Sequence, residues 1–277
     1  MRFVYIGLGT LALFVVALMT GAVDIPATEV LGILMGKDTE NTVWRVIVLE
    51  SRLPMAMTAL LSGASLSIAG LMLQTTFQNP LAGPSILGVS SGASMGVAIV
   101  MLLGGGALAS AGALQYVSVI AGAIAGAAAV ILLLLGLSSS LRSSAMLLIA
   151  GIMLSYLASS VISLLNFFAP ADGVKSFVVW GLGSFGGVTA SELPLFCTVL
   201  AAALFSSALF IKPLNALLLG ERYTANMGYS VKRLRSLLLC LSGILTAFVT
   251  AFCGPIGFIG IVVPHIARMI FKTSNHS

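Results

Sequence analysis

KPLNALLLGERYTANMGYSVKRLR, residues Lys212–Arg235, is the one long polar island in the second half of a chain that is otherwise apolar enough there to sit in lipid. It lies between the hydrophobic runs Leu193–Ile211 and Ser236–Cys253, and sets Lys212, Arg222, Lys232, Arg233 and Arg235 against a single acid, Glu221. A basic loop between two apolar runs belongs on the cytoplasmic side of a membrane, where Lys and Arg are retained. Its pattern predicts two short helical pieces, Leu214–Glu221 and Thr224–Met227, broken at Gly220 and Gly228. A compact basic module of this kind is a surface offered to another protein.

Composition supports the membrane reading outward from that loop. The 277 residues are 59% hydrophobic and 8% charged, too few charges to cover a soluble globule of this size. The net charge of +5 is spread over loops between apolar runs rather than gathered on one face, which argues for membrane topology and against nucleic acid as a partner. Cys197, Cys240 and Cys253 sit in or at the end of apolar runs at no metal-ligand spacing, and read as buried thiols rather than a disulfide or metal site.

About eight spans follow from the remaining runs. Arg2 and Phe3–Met19 form a first helix with its N-terminus inside, too long in its apolar part for a signal peptide. Val23–Ser51 is expected as an external loop, and Leu53–Phe77 as the second span, with Ala59, Gly63 and Ser67 on a small-residue face. Gln78–Ser94, with two prolines and several glycines, predicts a bent or re-entrant passage, because unpaired backbone cannot face lipid. Gly88, Gly92 and Gly96 begin a third span to about Leu103, and Leu114–Leu137 is the fourth, with Gly122 and Gly126 as its packing pair. The fifth, Ala145–Phe168, is the most polar, carrying Ser155, Tyr156, Ser159, Ser160, Ser163 and Asn166, which suits either interhelical hydrogen bonds or a wetted passage. Pro170–Glu192 lies outside, and in Cys253–Phe271 the residues Gly254, Pro255, Gly257, Gly260 and Pro264 forbid one straight helix.

This layout puts Arg2, Arg142, Lys212, Arg222, Lys232, Arg233, Arg235, Arg268 and Lys272 inside, leaving only Lys37, Arg45, Arg52 and Lys175 of the 13 basic residues outside. The fold class is therefore all-α: a single polytopic transmembrane bundle over residues 1–277, with 212–235 as a cytoplasmic loop within it. All eight acids fall in loops or at helix ends. Without a buried carboxylate relay an ion-coupled carrier is disfavoured, though it stays open as an alternative. With only His265 and His276, the chain offers no acid–base pair, nucleophile triad, metal cluster or cofactor motif, and no phosphate-binding loop, so any ATP chemistry belongs to a partner.

Three stretches, RLPMAMTALLSGASLSIAGLMLQTTFQNPLAGPSILGVSSGAS (Arg52–Ser94), LGERYTANMGYSVKRLR (Leu219–Arg235) and CGPIGFIGIVVPHIAR (Cys253–Arg268), resemble the FecCD family. These are permease subunits of ABC importers for iron-siderophores, haem and vitamin B12. The resemblance implies a non-enzymatic permease in the cell inner membrane, a homodimer or close heterodimer of ten-helix subunits, and surrounding lipid. It further implies a pair of ABC ATPase subunits and a periplasmic or surface substrate-binding protein. By position, Leu219, Gly220, Glu221, Ala225, Met227 and Gly228 would form the coupling helices in the ATPase cleft. Arg52 matches an external arginine that docks the binding protein; where the family often has a second basic residue this chain has Met55, and Arg45 is the substitute. Ser143 and Ser144 match the region of a cytoplasmic gate, and Ser159, Ser163 and Asn166 a wall of the passage. Family members continue for two more helices beyond Arg268, so about 50–60 residues are expected to be absent here, which keeps a non-transporting truncated membrane protein among the alternatives.

Overall fold

A computed structural model describes residues 2–37, 41–104, 113–140 and 144–272, and among them all regular structure is helical. The helices are α1 (Arg2–Met19), α2 (Ala27–Leu34), α3 (Thr42–Phe77), α4 (Val89–Leu103), α5 (Ala113–Ser140), α6 (Ser144–Phe168), α7 (Ala171–Gly181), α8 (Leu193–Ala208), α9 (Ile211–Leu218), α10 (Glu221–Asn226), α11 (Val231–Cys253) and α12 (Ile259–Phe271). Among the described residues, α3, α5, α6 and α11 are long and apolar enough to cross a membrane, and α8 with α9, bent by 52° at their junction, makes a fifth candidate. Three shorter apolar helices, Val4–Met19 within α1, α4 and α12, fall where the remaining spans were expected. By internal contacts the chain divides into two compact units, residues Met1–Gly63 with Phe185–Ala201, and Ala64–Ser184 with Ala202–Ser277.

In the first unit the expected loop Val23–Ser51 is largely helical. Val30 and Ile33 of α2 join Leu18, Ile25, Val48 and Ala56 in a buried cluster, flanked by Phe14, Trp44, Ile47, Leu49 and Leu53. The second span also starts earlier than expected: α3 is one helix of 36 residues, about 54 Å at 1.5 Å per residue. Pro54 lies inside it. Proline has no N–H to give the carbonyl four residues back, and the chain absorbs this in a π-helical turn over Ile47–Arg52, where the Leu53 N–H reaches Val48 O, five residues back.

The second unit is built on α4 crossing α5, with α11 packed against both and α6 against α4. The two glycine pairs expected from sequence meet each other at the crossing. A Cβ on Gly96 would lie 1.9 Å from Gly122 O, and one on Gly126 would lie 2.1 Å from Gly92 O, so backbone touches backbone and no side chain fits between. The small face expected on α3 is different: a Cβ on Gly63 would meet nothing within 4 Å. The passage between α3 and α4 is the bend foreseen, opened by Gln78 at φ 49° and closed by Gly88 at φ 82°. At the end of the chain the break falls over residues 254–258, between α11 and α12, whereas Pro264 lies inside α12.

Pro264 leaves the Gly260 carbonyl without its usual helical donor. Gln74, 3% exposed on α3, faces that position: its Nε2 lies 3.5 Å from Gly260 O and 3.3 Å from Ile261 O. Its Oε1 accepts from the Arg268 guanidinium one turn further along.

Candidate functional site

The polar island forms two short helices, as its sequence indicated, with shifted bounds. Helix α9 ends at Leu218, Gly220 turns the chain at φ 107°, and Glu221 opens α10 rather than closing the piece before it. Gly228 at φ 88° ends the second piece and leads into α11. An acid in the first turn of a helix is favoured by the unpaired N–H groups there, and this explains why the break precedes Glu221.

The elbow has a buried side and an exposed side. Leu214, Ala216, Leu217 and Thr224 face inward, and Thr224 Oγ1 donates to Gly220 O at 2.9 Å. Gln78 at the end of α3 donates from Nε2 to Leu217 O at 3.1 Å, tying α9 to that helix. Leu219, Tyr223 and Met227 are 66%, 47% and 55% exposed, and Arg222, Lys232 and Arg233 of the same stretch are exposed as well. Ala225 and Gly228 are exposed alongside, and Gly220 is half-buried. Exposed large apolar side chains with positive charges nearby in the chain suit a surface that binds a protein, the charges setting orientation.

Glu221 is placed differently from the rest. Its carboxylate pairs with Arg235 of α11 at 2.5 Å, and the guanidinium side chain is only 6% exposed while the acid is 47% exposed. Sequence reasoning counted Arg235 as one more cytoplasmic cation; burial sets it apart from its exposed neighbours Lys232 and Arg233. The one signal in the sequence was that a single acid stood in a loop of five cations.

The other sequence-derived residues fall elsewhere. Arg52, matched to a docking arginine, is 6% exposed, and its guanidinium donates to Leu18 O at 3.0 Å, Met19 O at 2.9 Å and Val23 O. It thus caps the C-terminal carbonyls of α1, where a cation is favoured by the helix dipole. Arg45 is exposed. Ser159, Ser163 and Asn166 share one face of α6 at helical spacing; the two serines are exposed and Ser163 Oγ donates to Ser159 O at 3.0 Å. Asn166 is half-buried, with its Oδ1 lacking a hydrogen-bond partner. Ser143 lies outside the described residues, and of Ser144 only its place at the start of α6 is described. Cys197 and Cys240 are half-buried and Cys253 buried, all three as free thiols.

Comparison with known proteins places this arrangement. The profile of the FecCD transport family matches residues 9–277. The chain belongs to the FecCD transport family. Its relatives include the vitamin B12 import system permease protein BtuC of Citrobacter koseri, 35% identical over 230 residues, covering 83% of this chain and 66% of that protein. BtuC of Serratia proteamaculans is 34% identical over 263 residues, covering 95% and 74%. The chain thus spans about two thirds to three quarters of the length of these relatives. A solved structure described as a metal-chelate type ABC transporter in an inward-facing conformation superposes with a TM-score of 0.82 at 27% identity, over 98% of this chain and 82% of that one. FecCD chains of this kind are permeases of ABC importers and not enzymes, and the helical fold is that of such a permease.

Proposed function

We propose that this FecCD chain is the membrane conduit of an ATP-driven importer for a large metal chelate (cobalamin, haem or an iron-siderophore), working in the cell inner membrane with its N-terminus cytoplasmic. The observation that carries the reading is the elbow: a folded pair of short helices with Leu219, Tyr223 and Met227 exposed, and with exposed Arg222, Lys232 and Arg233 in the same stretch of chain. In this reading it seats in a cleft of an ABC ATPase. Closure of two such ATPases pushes on α9 and α10, and two permease copies rock between outward and inward openings. The vitamin B12 carried by the BtuC relatives and the chelate carried by the metal-chelate type transporter support a chelated metal without choosing among the three.

Two further parts follow. The polar face of α6, with Ser159, Ser163 and Asn166, lines the passage, a use for hydroxyls and an amide on an otherwise apolar helix. Docking of the external binding protein falls to exposed Arg45, with Arg52 bracing the fold beneath. Seven of the eight acids stand outside the candidate spans, and Glu50 is exposed near the start of α3, which supports an external energy source over an ion-coupled relay.

The test is co-purification with an ABC ATPase subunit expressed together with the chain. Tyr223→Asp with Met227→Asp puts two carboxylates into the proposed cleft and abolishes both co-purification and ATP-dependent uptake of cobalamin, haem or a ferric siderophore, offered in turn. Retained ATPase would remove the elbow from the contact.

A further inference from the structure

We propose that Arg235 is the positioning residue of the elbow: acting through Glu221, it passes displacement of α10 into α11, and α11 carries it to α7. The inference rests on the reading of the elbow as an ATPase seat, and adds the internal route by which a push there is transmitted.

Helix α10 has six residues, far below the roughly 12–15 at which a helix holds in water by itself. Glycines with positive φ bound it on both sides, Gly220 and Gly228. Its hydrogen bonds from Thr224 Oγ1 to Gly220 O and from the Tyr229 N–H to Thr224 O stay within the segment. Glu221 reaches out of it, fourteen residues on, to Arg235 in the second turn of α11. The guanidinium sits on α11 and is almost wholly buried, so a displacement of Glu221 acts on α11 through a charge pair held largely out of water, where charges interact more strongly. A planar guanidinium also fixes direction, which a lysine ammonium would not.

From Arg235, α11 runs unbroken to Cys253. Its far end is joined to α7 by backbone. The Ser184 N–H donates to Cys253 O at 2.8 Å, and a Cβ on Gly254 (φ 75°) would lie 2.5 Å from Trp180 O and 3.1 Å from Gly183 Cα. One helix therefore has an ion pair to the elbow at one end and a side-chain-free joint to α7 at the other. Such a rod cannot be displaced at its Arg235 end without loading the joint at Gly254.

The experiment uses the chain with its ATPase in lipid nanodiscs, and a single reporter, Leu182→Cys, beside the joint and 78% exposed. A charged maleimide reads its labelling rate with and without a non-hydrolysable ATP analogue, against the parent chain as background. We expect the nucleotide to change the rate at least threefold. Arg235→Met, an apolar replacement that keeps the buried volume filled, abolishes that change while the ATPase still co-purifies. Exchange of the pair, Glu221→Arg with Arg235→Glu, restores it, and the ATPase still bound to Arg235→Met distinguishes a lost link from a lost fold. An undiminished nucleotide response in Arg235→Met, or none in the parent complex, overturns the inference. Failure of the parent chain to retain any ATPase would instead overturn the reading on which it rests.

Discussion

Replacing Gly126 by alanine adds one methyl group at the α4–α5 crossing, and its consequence follows from the geometry. The new Cβ would lie 2.1 Å from Gly92 O and 2.9 Å from Gly92 C, both main-chain atoms that no rotamer change can move. To reach ordinary contact beyond 3.4 Å the helices must separate by about 1 Å, a gap that forfeits a quarter to a half of the dispersion energy along the seam. Overpacking of this kind costs about 1–3 kcal/mol, and lost Cα–H contacts to carbonyls add about 0.5–1 kcal/mol each. Gly136 on the same helix is the control, since a Cβ there meets nothing within 4 Å. Gly136→Ala should be neutral or stabilise by up to about 1 kcal/mol, the ordinary helix preference for alanine. Unfolding in mixed detergent micelles, followed by far-ultraviolet circular dichroism with the two variants side by side, separates them. Equal midpoints for Gly126→Ala and Gly136→Ala would refute the close crossing.

Arg52→Leu should destabilise the first unit by about 1–3 kcal/mol, because three backbone carbonyls lose a charged donor; a lower unfolding midpoint in the same assay checks it. Arg45→Glu should leave that midpoint unchanged and weaken the binding protein's association at low salt, measured by surface plasmon resonance. Gln74→Leu should cost about 1–3 kcal/mol by stranding the Gly260 carbonyl and the Arg268 guanidinium. Pro264→Ala restores an N–H to that carbonyl and should recover part of the loss, so a double-mutant cycle with no coupling would contradict the bridge.

Much of the candidate site was legible in the sequence because its signals are local. Gly220 and Gly228 mark breaks wherever the rest of the chain lies, and the two short helices were found with bounds moved by a few residues. The burial of Arg52 and Arg235 was not legible. The sequence set Arg52 apart only by its resemblance to a docking arginine and Arg235 not at all, and only packing shows that each is almost wholly buried while Arg45, Lys232 and Arg233 are exposed. The helical character of 27–34 and 42–52 was missed because acids and a proline gave that stretch the composition of a loop, whereas its apolar positions Val30, Ile33 and Val48 close onto Leu18 and Ala56.

By itself the sequence determined the helical class, the apolar runs, the faces of small residues, the basic elbow and the family. Those properties depend on side-chain type and on neighbours within a turn or two. Tertiary structure decided which faces meet: Gly92 and Gly96 with Gly126 and Gly122, Gln74 with the carbonyls beside Pro264, Arg52 with the end of α1, and Glu221 with Arg235. These pairings join residues from 14 to 187 positions apart. A glycine or an arginine carries in its own identity the need for a close neighbour or a counter-charge, but not the address of the group that supplies it.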